Sequence, residues 1–284
     1  MKTVDYCICC GNKIDLKIYD STINSFVVAR MLGLTHDDDT ITVQKTLEDS
    51  EVMTRSGVVW PCKTIVCPVC EMVFCNFRFT KEEESRYYQD YMDDNYITHR
   101  IEFDGRAWCA NQNYYTTDEY KTLRQNKIAS GISAVTDINA IHSVIDYGGN
   151  TGELIPNELS HAQRYVLEIQ ERTLSVGTKQ LVDHQLVDLV ICAHTLEHVS
   201  DPNELIKDIV RYIKPNGYLY IEVPNELNGN GQIGWFHEHI NLFTPKSIRH
   251  LLESNGFALC GDVNAFTYNN RLIGSAYSVV GQLK

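Results

Sequence analysis

The sequence predicts an α/β protein in which a doubly wound, mostly parallel sheet follows a small cysteine-rich domain. Three observations carry this. Seven of the ten cysteines, Cys7, Cys9, Cys10, Cys62, Cys67, Cys70 and Cys75, fall in the first 75 residues. Beyond about residue 116 short apolar strands alternate with amphipathic helices, the pattern of a parallel sheet with covered faces. One strand in that half runs straight into a glycine-rich turn, Asp146-Tyr147-Gly148-Gly149-Asn150-Thr151-Gly152.

Composition narrows the classes. The 284 residues are 43% hydrophobic and 22% charged, which suits a chain that buries a core and excludes disorder. No window reaches the ~18–20 unbroken apolar residues of a membrane helix. Met1 to Cys7 carries an acid and then a cysteine where a secretion signal would be apolar, so a cytoplasmic location is expected. Asp and Glu outnumber Lys and Arg by 37 to 25, a net charge of −12. Such a surface repels a polyphosphate backbone, which argues against a nucleic-acid partner.

The elements follow in order. Residues 1–80 read as short strands and turns around the cysteines, and residues 81–115 as a Tyr-rich helical connector. That connector holds one helix from about Glu82 to Arg100, with Tyr87, Tyr88, Tyr91 and Tyr96 either packing or reaching a substrate. Residues 116–284 form the α/β domain. Thr116 and Glu119 resemble a capping box, opening a helix that Gly131 stops. Strands are expected at Ser143–Asp146, Tyr165–Glu168, Val187–Cys192 and Tyr218–Val223. Only 20 residues separate Glu168 from Asp188, so the strand between them must be short. Asp201 and Pro202 open an amphipathic helix with Leu205, Ile206, Ile209, Val210 and Ile213 on one face, ended by Lys214-Pro215-Asn216-Gly217. Thr244-Pro245 opens another, which stops at Gly256.

Cys7-Ile8-Cys9-Cys10 and Cys67-Pro68-Val69-Cys70 are two C-x2-C units. That spacing turns two thiolates to one side of a tight turn, and four sulfurs match tetrahedral Zn²⁺. The 56 intervening residues exceed a compact ribbon's ~15–20, yet the longer loop costs only about 1 kcal/mol. Structural zinc returns ~10–16 kcal/mol. Cys7, Cys10, Cys67 and Cys70 are the expected ligands, with Cys9 the rival to Cys7 or Cys10. The alternative is a set of buried reduced thiols or a redox pair.

In the glycine turn, Gly148 and Gly152 let a ligand lie against the main chain, and Asn150 tolerates a positive φ. The turn lacks the full G-x-G-x-x-G and a following Gly-Lys-Ser/Thr. Glu168, sixteen residues after Gly152, can grip two ribose hydroxyls. Further on stand Ala193-His194-Thr195-Leu196-Glu197-His198-Val199-Ser200-Asp201-Pro202 and Lys214-Pro215-Asn216-Gly217. In this order the three segments resemble the Rossmann-like class of S-adenosylmethionine-dependent methyltransferases. The resemblance covers about 116–284. It implies that Asp146, Gly148, Gly149, Asn150 and Gly152 border the methionine moiety of S-adenosylmethionine. It also implies that Glu168 holds its ribose and that Ala193 and His194 line the pocket near the sulfonium. Asp183 is a weak candidate for the adenine contact.

Two C-x2-C knuckles, an aromatic helix and this core are together similar to sugar methyltransferases of deoxysugar and surface-polysaccharide pathways. Trp235-Phe236-His237-Glu238-His239-Ile240-Asn241 resembles their loop after the fifth strand. The resemblance implies a sugar or nucleotide-sugar substrate, with His239 removing a proton and Glu238 assisting; His194, His198 and His237 are the other histidines near that chemistry. The other expectations are an O- or N-methyltransferase of another small metabolite and a silent binding protein of this fold. The bland reading of Glu197-His198 is a helix cap.

Overall fold

The structure, a computed structural model, describes residues 1–33, 53–54, 57–91, 93–104, 117–168, 173–182, 184–227, 235–236, 238–267 and 275–284. Asp183, His237, Cys109 and Thr116 lie outside the described residues.

The first half holds β1 (Lys2–Thr3), β2 (Lys17–Asn24), α1 (Ser25–Leu32), β3 (Met53–Thr54), β4 (Gly57–Val66), β5 (Val73–Cys75), β6 (Phe77–Arg78), α2 (Lys81–Tyr88) and α3 (Asp94–Asp104). The expected single Tyr-rich helix is two. Asp90 takes a left-handed φ of 55°, and the Asp93 carboxylate accepts the Tyr96 N–H at 2.8 Å, opening a new helix. Thr80 and Glu83 form a reciprocal capping box on α2.

The second half holds α4 (Asp118–Ser133), β7 (Ser143–Tyr147), β8 (Gln163–Leu167), β9 (Thr178–Gln180), β10 (Val187–Ala193), α5 (Pro202–Val210) and β11 (Ile213–Pro224). There follow β12 (Trp235–Phe236), β13 (Asn241–Leu242), α6 (Pro245–Ser254), β14 (Phe257–Leu259), β15 (Asn264–Thr267) and β16 (Ser275–Leu283). The order across the sheet is β14-β16-β11-β10-β7-β8-β9, with β15 on β16. β7 to β11 run parallel and β16 antiparallel to β11. The expected mostly parallel sheet is there, and its third strand is short.

Alternation along the central strands sorts the core. Leu189, Ile191 and Tyr220 face α4 with Ile128 and Ile132, while Val190, Cys192, Leu219 and Ile221 face α5 and α6 with Ile206, Ile209 and Leu251. Gly131 lies inside α4 and does not end it: a Cβ there would stand 2.9 Å from the Tyr220 ring, so the helix needs glycine to approach the sheet. Lys214 to Gly217 lie within β11 as a register break opposite Val187 and Leu189, after α5 has ended at Val210. The glycine turn leads into further turns and the 3-10 segment Asn157–Leu159.

The two halves share elements. A six-stranded sheet orders as β12-β2-β4-β5-β13, with β3 on β4. Its outer strands β12 and β13 are supplied by the chain that has just left β11. The cysteine turns pack in turn on the α5–α6 face of the larger sheet, in one core with Leu196, Ile206 and Ile248.

Candidate functional site

Strand order reverses between β7 and β10, and there the carboxyl ends of parallel strands leave a crevice. Asp146, second to last in β7, is 2% exposed, and its Oδ2 has no hydrogen-bond partner. Burial pushes it up to about 7, with Glu168 adding to the rise against the Arg124 charge. Gly148 (φ 68°) would carry a Cβ only 2.8 Å from Thr195 Oγ1, and a Cβ on Gly149 would overlap the Asp146 carboxyl. A Cβ on Gly152 would meet Val166 and Thr178. Asn150 sits at φ 53° and donates its backbone N–H to Glu168 Oε2 at 3.1 Å. A bare cradle headed by an orphaned acid, with a second acid at the next strand end, fits a nucleoside that carries a cationic tail. Among the residues expected to bind the cofactor, these six therefore gather at one crevice.

His194 follows the last residue of β10 at φ 57°. Its Nε2 is 3.0 Å from Glu222 Oε1 and its Nδ1 is 3.4 Å from Glu197 Oε1. Burial and Arg124 work against its charge, but the two carboxylates prevail and raise it. Glu222 is fully buried, meets Arg124 Nη2 at 2.7 Å and accepts the Tyr220 hydroxyl at 2.7 Å. Against burial, Arg124 and His194 hold its carboxyl down to about 2.

One turn further, Glu197 is 1% exposed and neither carboxylate oxygen has a hydrogen-bond partner. Burial opposes its ionisation, yet the rings of His194, His198 and His239 keep it down at about 2. The His198 and His239 rings meet edge to face at 4.6 Å. Burial, then the charge of His239, lowers His198. His239 moves the other way, to about 9: burial opposes the charge, but Glu226 beside Nδ1 at 2.7 Å overcomes it.

This differs from the expected pairing of Glu238 with His239. The carboxylate bonded to His239 is Glu226, two residues past the end of β11, while Glu238 accepts the Tyr87 hydroxyl at 2.8 Å and lies 3.8 Å from Arg100. The two neighbours thus engage different partners. Tyr87 also bonds Tyr96 at 3.1 Å, and Tyr88 meets the His198 ring edge on at 6.3 Å, so the connector tyrosines border the site. The loop at 196–200 is pinned from both halves. Asn241 Nδ2 donates to the carbonyls of Leu196 (2.9 Å) and Val199 (2.7 Å), and Ser200 N–H donates to Glu84 at 2.7 Å.

Sequence reasoning missed Arg124, Glu222 and Glu226, and for Glu197, within the segment that carries the resemblance, offered only the bland reading of a helix cap. Glu222 had a visible signal, a lone acid inside the apolar run Tyr218–Val223; a buried charge there needs a cation. Arg124 had none.

The four expected sulfurs come together. One ligand atom from each of Cys7, Cys10, Cys67 and Cys70 lies within 4.8 Å of the others. The pairs Cys7–Cys70 and Cys10–Cys67 stand at 3.5 Å. Both turns close by matching bonds, Gly11 N–H to Cys7 O and Glu71 N–H to Cys67 O. Cys9 donates to Ser247 O at 3.4 Å and is not one of the four. Four convergent thiols without a disulfide fit a tetrahedral ion. No described helix is long and apolar enough to cross a membrane.

Residues 120–260 match the family model of a methyltransferase domain. The chain is 28% identical over 158 residues to a ubiquinone biosynthesis O-methyltransferase of Coxiella burnetii, covering 50% of this chain and 66% of that one. It is 33% identical over 87 residues to the C-methyltransferase NovU of Streptomyces niveus, covering 30% of this chain and 21% of that one. Among solved structures, the N-methyltransferase NodS of Bradyrhizobium japonicum with S-adenosyl-L-homocysteine is similar at 11% identity. That likeness covers 63% of this chain and 98% of NodS, with a TM-score of 0.44.

Proposed function

We propose that this chain, with its methyltransferase domain at 120–260, transfers a methyl group from S-adenosylmethionine to a sugar or nucleotide-sugar. The observation that carries the reading is the bare glycine turn between the orphaned Asp146 carboxyl and Glu168, which opens beside a cluster of titratable side chains. Asp146, Gly148, Gly149, Asn150 and Gly152 hold the methionine moiety, Glu168 the ribose, and Ala193 and His194 the region of the sulfonium. The cofactor supplies an activated methyl group; the protein's work is to align the acceptor, exclude water and manage one proton.

The shifts divide that work. His198, held below its ordinary value, is neutral at pH 7 and can accept the acceptor's proton. His239, held up to about 9, is an imidazolium at pH 7 and stabilises the oxygen as its charge grows. Glu238, Tyr87 and Arg100 form the wall on the side of the N-terminal sheet. Cys7, Cys10, Cys67 and Cys70 hold a structural Zn²⁺ that keeps this wall in place.

A second reading, O-methylation of an aromatic metabolite, is favoured by the match to the ubiquinone-pathway enzyme over 158 residues. Calorimetry with S-adenosylhomocysteine tests the cofactor, and sub-millimolar binding is expected. Incubation with labelled cofactor and panels of nucleotide-sugars and catechols tests the acceptor, read as the mass increment of one methyl substitution. Failure to bind S-adenosylhomocysteine overturns both readings; labelled catechols with unlabelled nucleotide-sugars select the second.

A further inference from the structure

Cys62 on β4 and Cys75 at the end of β5 stand apart from the four convergent sulfurs. Thr64 is the cross-strand partner of Cys75, so Cys62, two residues back along β4, shares its face of the sheet as a diagonal neighbour. The Cys62 thiol donates to the Cys75 sulfur. Neither is in a disulfide, and both lie in the core with Phe26 and Tyr87, at 7% and 0% exposure. Only an oxidant about the size of water reaches such a pair.

Arg78 supplies an independent observation. It ends β6, is 2% exposed, and none of its three side-chain nitrogens has a hydrogen-bond partner. Its guanidinium lies 5.1 Å from the centre of the Phe74 ring. A buried guanidinium in that state is costly unless an anion accompanies it. Asp201 and Glu84 are spent on the Glu204 and Ser200 N–H groups, and of the groups that favour the Arg78 charge Cys75 comes first. Burial opposes a charge on Cys75, but the Cys62 thiol, the Phe77 N–H and Arg78 outweigh it and hold Cys75 below its ordinary value.

We propose that Cys62 and Cys75 form a redox-active pair: Arg78 holds Cys75 as a thiolate, a small peroxide oxidises it, and Cys62 closes a reversible disulfide between β4 and β5. The Cys75 thiolate attacks one peroxide oxygen, the O–O bond breaks and hydroxide leaves, giving the sulfenic acid. The Cys62 sulfur then attacks the Cys75 sulfur, and the sulfenic oxygen departs with the Cys62 proton as water. The two sulfurs lose two electrons and the peroxide gains them. The new bond removes the anion beside Arg78, which favours the reduced form and keeps the disulfide easy to reopen with a thiol. A diagonal pair lies at the far end of a disulfide's span, so closure draws Cys75 towards β4. Its N–H donates to the Ile240 carbonyl at 2.9 Å, and Phe74 beside it pairs with Asn241 of β13; the movement therefore reaches His239. The pair does not rest on the methyltransferase reading.

The test treats the full chain, loaded with zinc, with a small excess of hydrogen peroxide, followed by alkylation and tryptic digestion. Mass spectrometry should find the peptide ending at Lys63 joined to the one that carries Cys75. Fragmentation should place the bond at Cys75, and dithiothreitol should release it. Cys62→Ser should stop at the sulfenic acid, trapped on Cys75 by dimedone. Arg78→Met no longer holds the thiol ionised and should close the bond at least ~10-fold more slowly. Circular dichroism establishes that each variant is folded; if Arg78→Met is not, Arg78→Gln takes its place.

No bond between Cys62 and Cys75 in the wild type, or no dimedone adduct on Cys75 in Cys62→Ser, overturns the pair. Closure at the wild-type rate without the Arg78 charge overturns the role of Arg78. The His239 ring resonance should shift on oxidation and return on reduction; a resonance that stays in place overturns the coupling to the site. A chain that closes the bond but does not bind S-adenosylhomocysteine keeps this inference and loses the methyltransferase reading; the converse result reverses the outcome.

Discussion

Replacing Glu222 by Gln tests whether the buried Arg124–Glu222 pair supports the site. The side chains are 2% and 0% exposed and meet at 2.7 Å. Removing the carboxylate leaves a guanidinium buried without its counter-charge, which costs about 3–5 kcal/mol. Linkage supplies a second route to that magnitude. Glu222 is held down to about 2, some two pH units below an unfolded glutamate at ~4.3, which corresponds to about 3 kcal/mol. Because the folded value is depressed, this stability is present above pH ~4.3 and is lost as pH falls towards 2. Urea unfolding at pH 7 should show the variant weaker by about 3–5 kcal/mol, with a melting temperature lower by on the order of 10 °C. The gap between wild type and variant should narrow as pH falls from 5 to 3. The double change Glu222→Gln with Arg124→Met should recover much of the loss. A single variant within about 1 kcal/mol of wild type at pH 7, or a gap that does not change with pH, refutes the reasoning.

The other expectations are simpler to read. Gly148→Ala must place a Cβ 2.8 Å from Thr195 Oγ1 at a φ of 68°; S-adenosylhomocysteine should bind at least ~10-fold more weakly, and unchanged calorimetry would remove the cradle. His239 should titrate near 9 by NMR and fall towards its ordinary value in Glu226→Gln. Its raised value makes its contribution to stability full below the unfolded pKa of ~6.5 and lost as pH rises through 9; a titration insensitive to Glu226 contradicts the pairing. Cys67→Ser should lower bound zinc from one ion per chain, measured by elemental analysis, and destabilise the chain by several kcal/mol. Full zinc retention would show that the metal lies elsewhere.

What the sequence disclosed followed local rules. The C-x2-C spacing selected the four convergent sulfurs, and Cys9, whose thiol donates to Ser247 O, is not among them. Asp201 and Thr244 cap the helices assigned to them, and the glycine turn stands where the strand pattern placed it. What stayed hidden depended on distant partners. Gly131 reads as a stop until the Tyr220 ring is seen against it. The partner of His239 could not be chosen from adjacency, because Glu226 lies thirteen positions earlier on the other side of a loop. Arg124 resembles any polar helix residue until β11 presents a buried acid to it.

The path of the chain after β11 explains why the site draws on both halves. Residues beyond Pro224 leave the large sheet, add β12 to β2 and β13 to β5, and return to α6. Glu238 and His239 lie between those two strands, so the N-terminal sheet sets their position while Glu197 and His198 are set by β10. The cluster exists only while the two sheets keep their register against each other. Among the contacts that hold that register are the cysteine turns in the α5–α6 core, Asn203 Nδ2 bonding the Ile8 and Cys9 carbonyls at 2.8 and 2.9 Å, Ser200 Oγ accepting the Phe79 N–H at 2.7 Å and Ser200 N–H donating to Glu84 at 2.7 Å. Strain at the knuckles should therefore reach the His198–His239 geometry before it reaches Asp146, whose surroundings belong wholly to the larger sheet and α4.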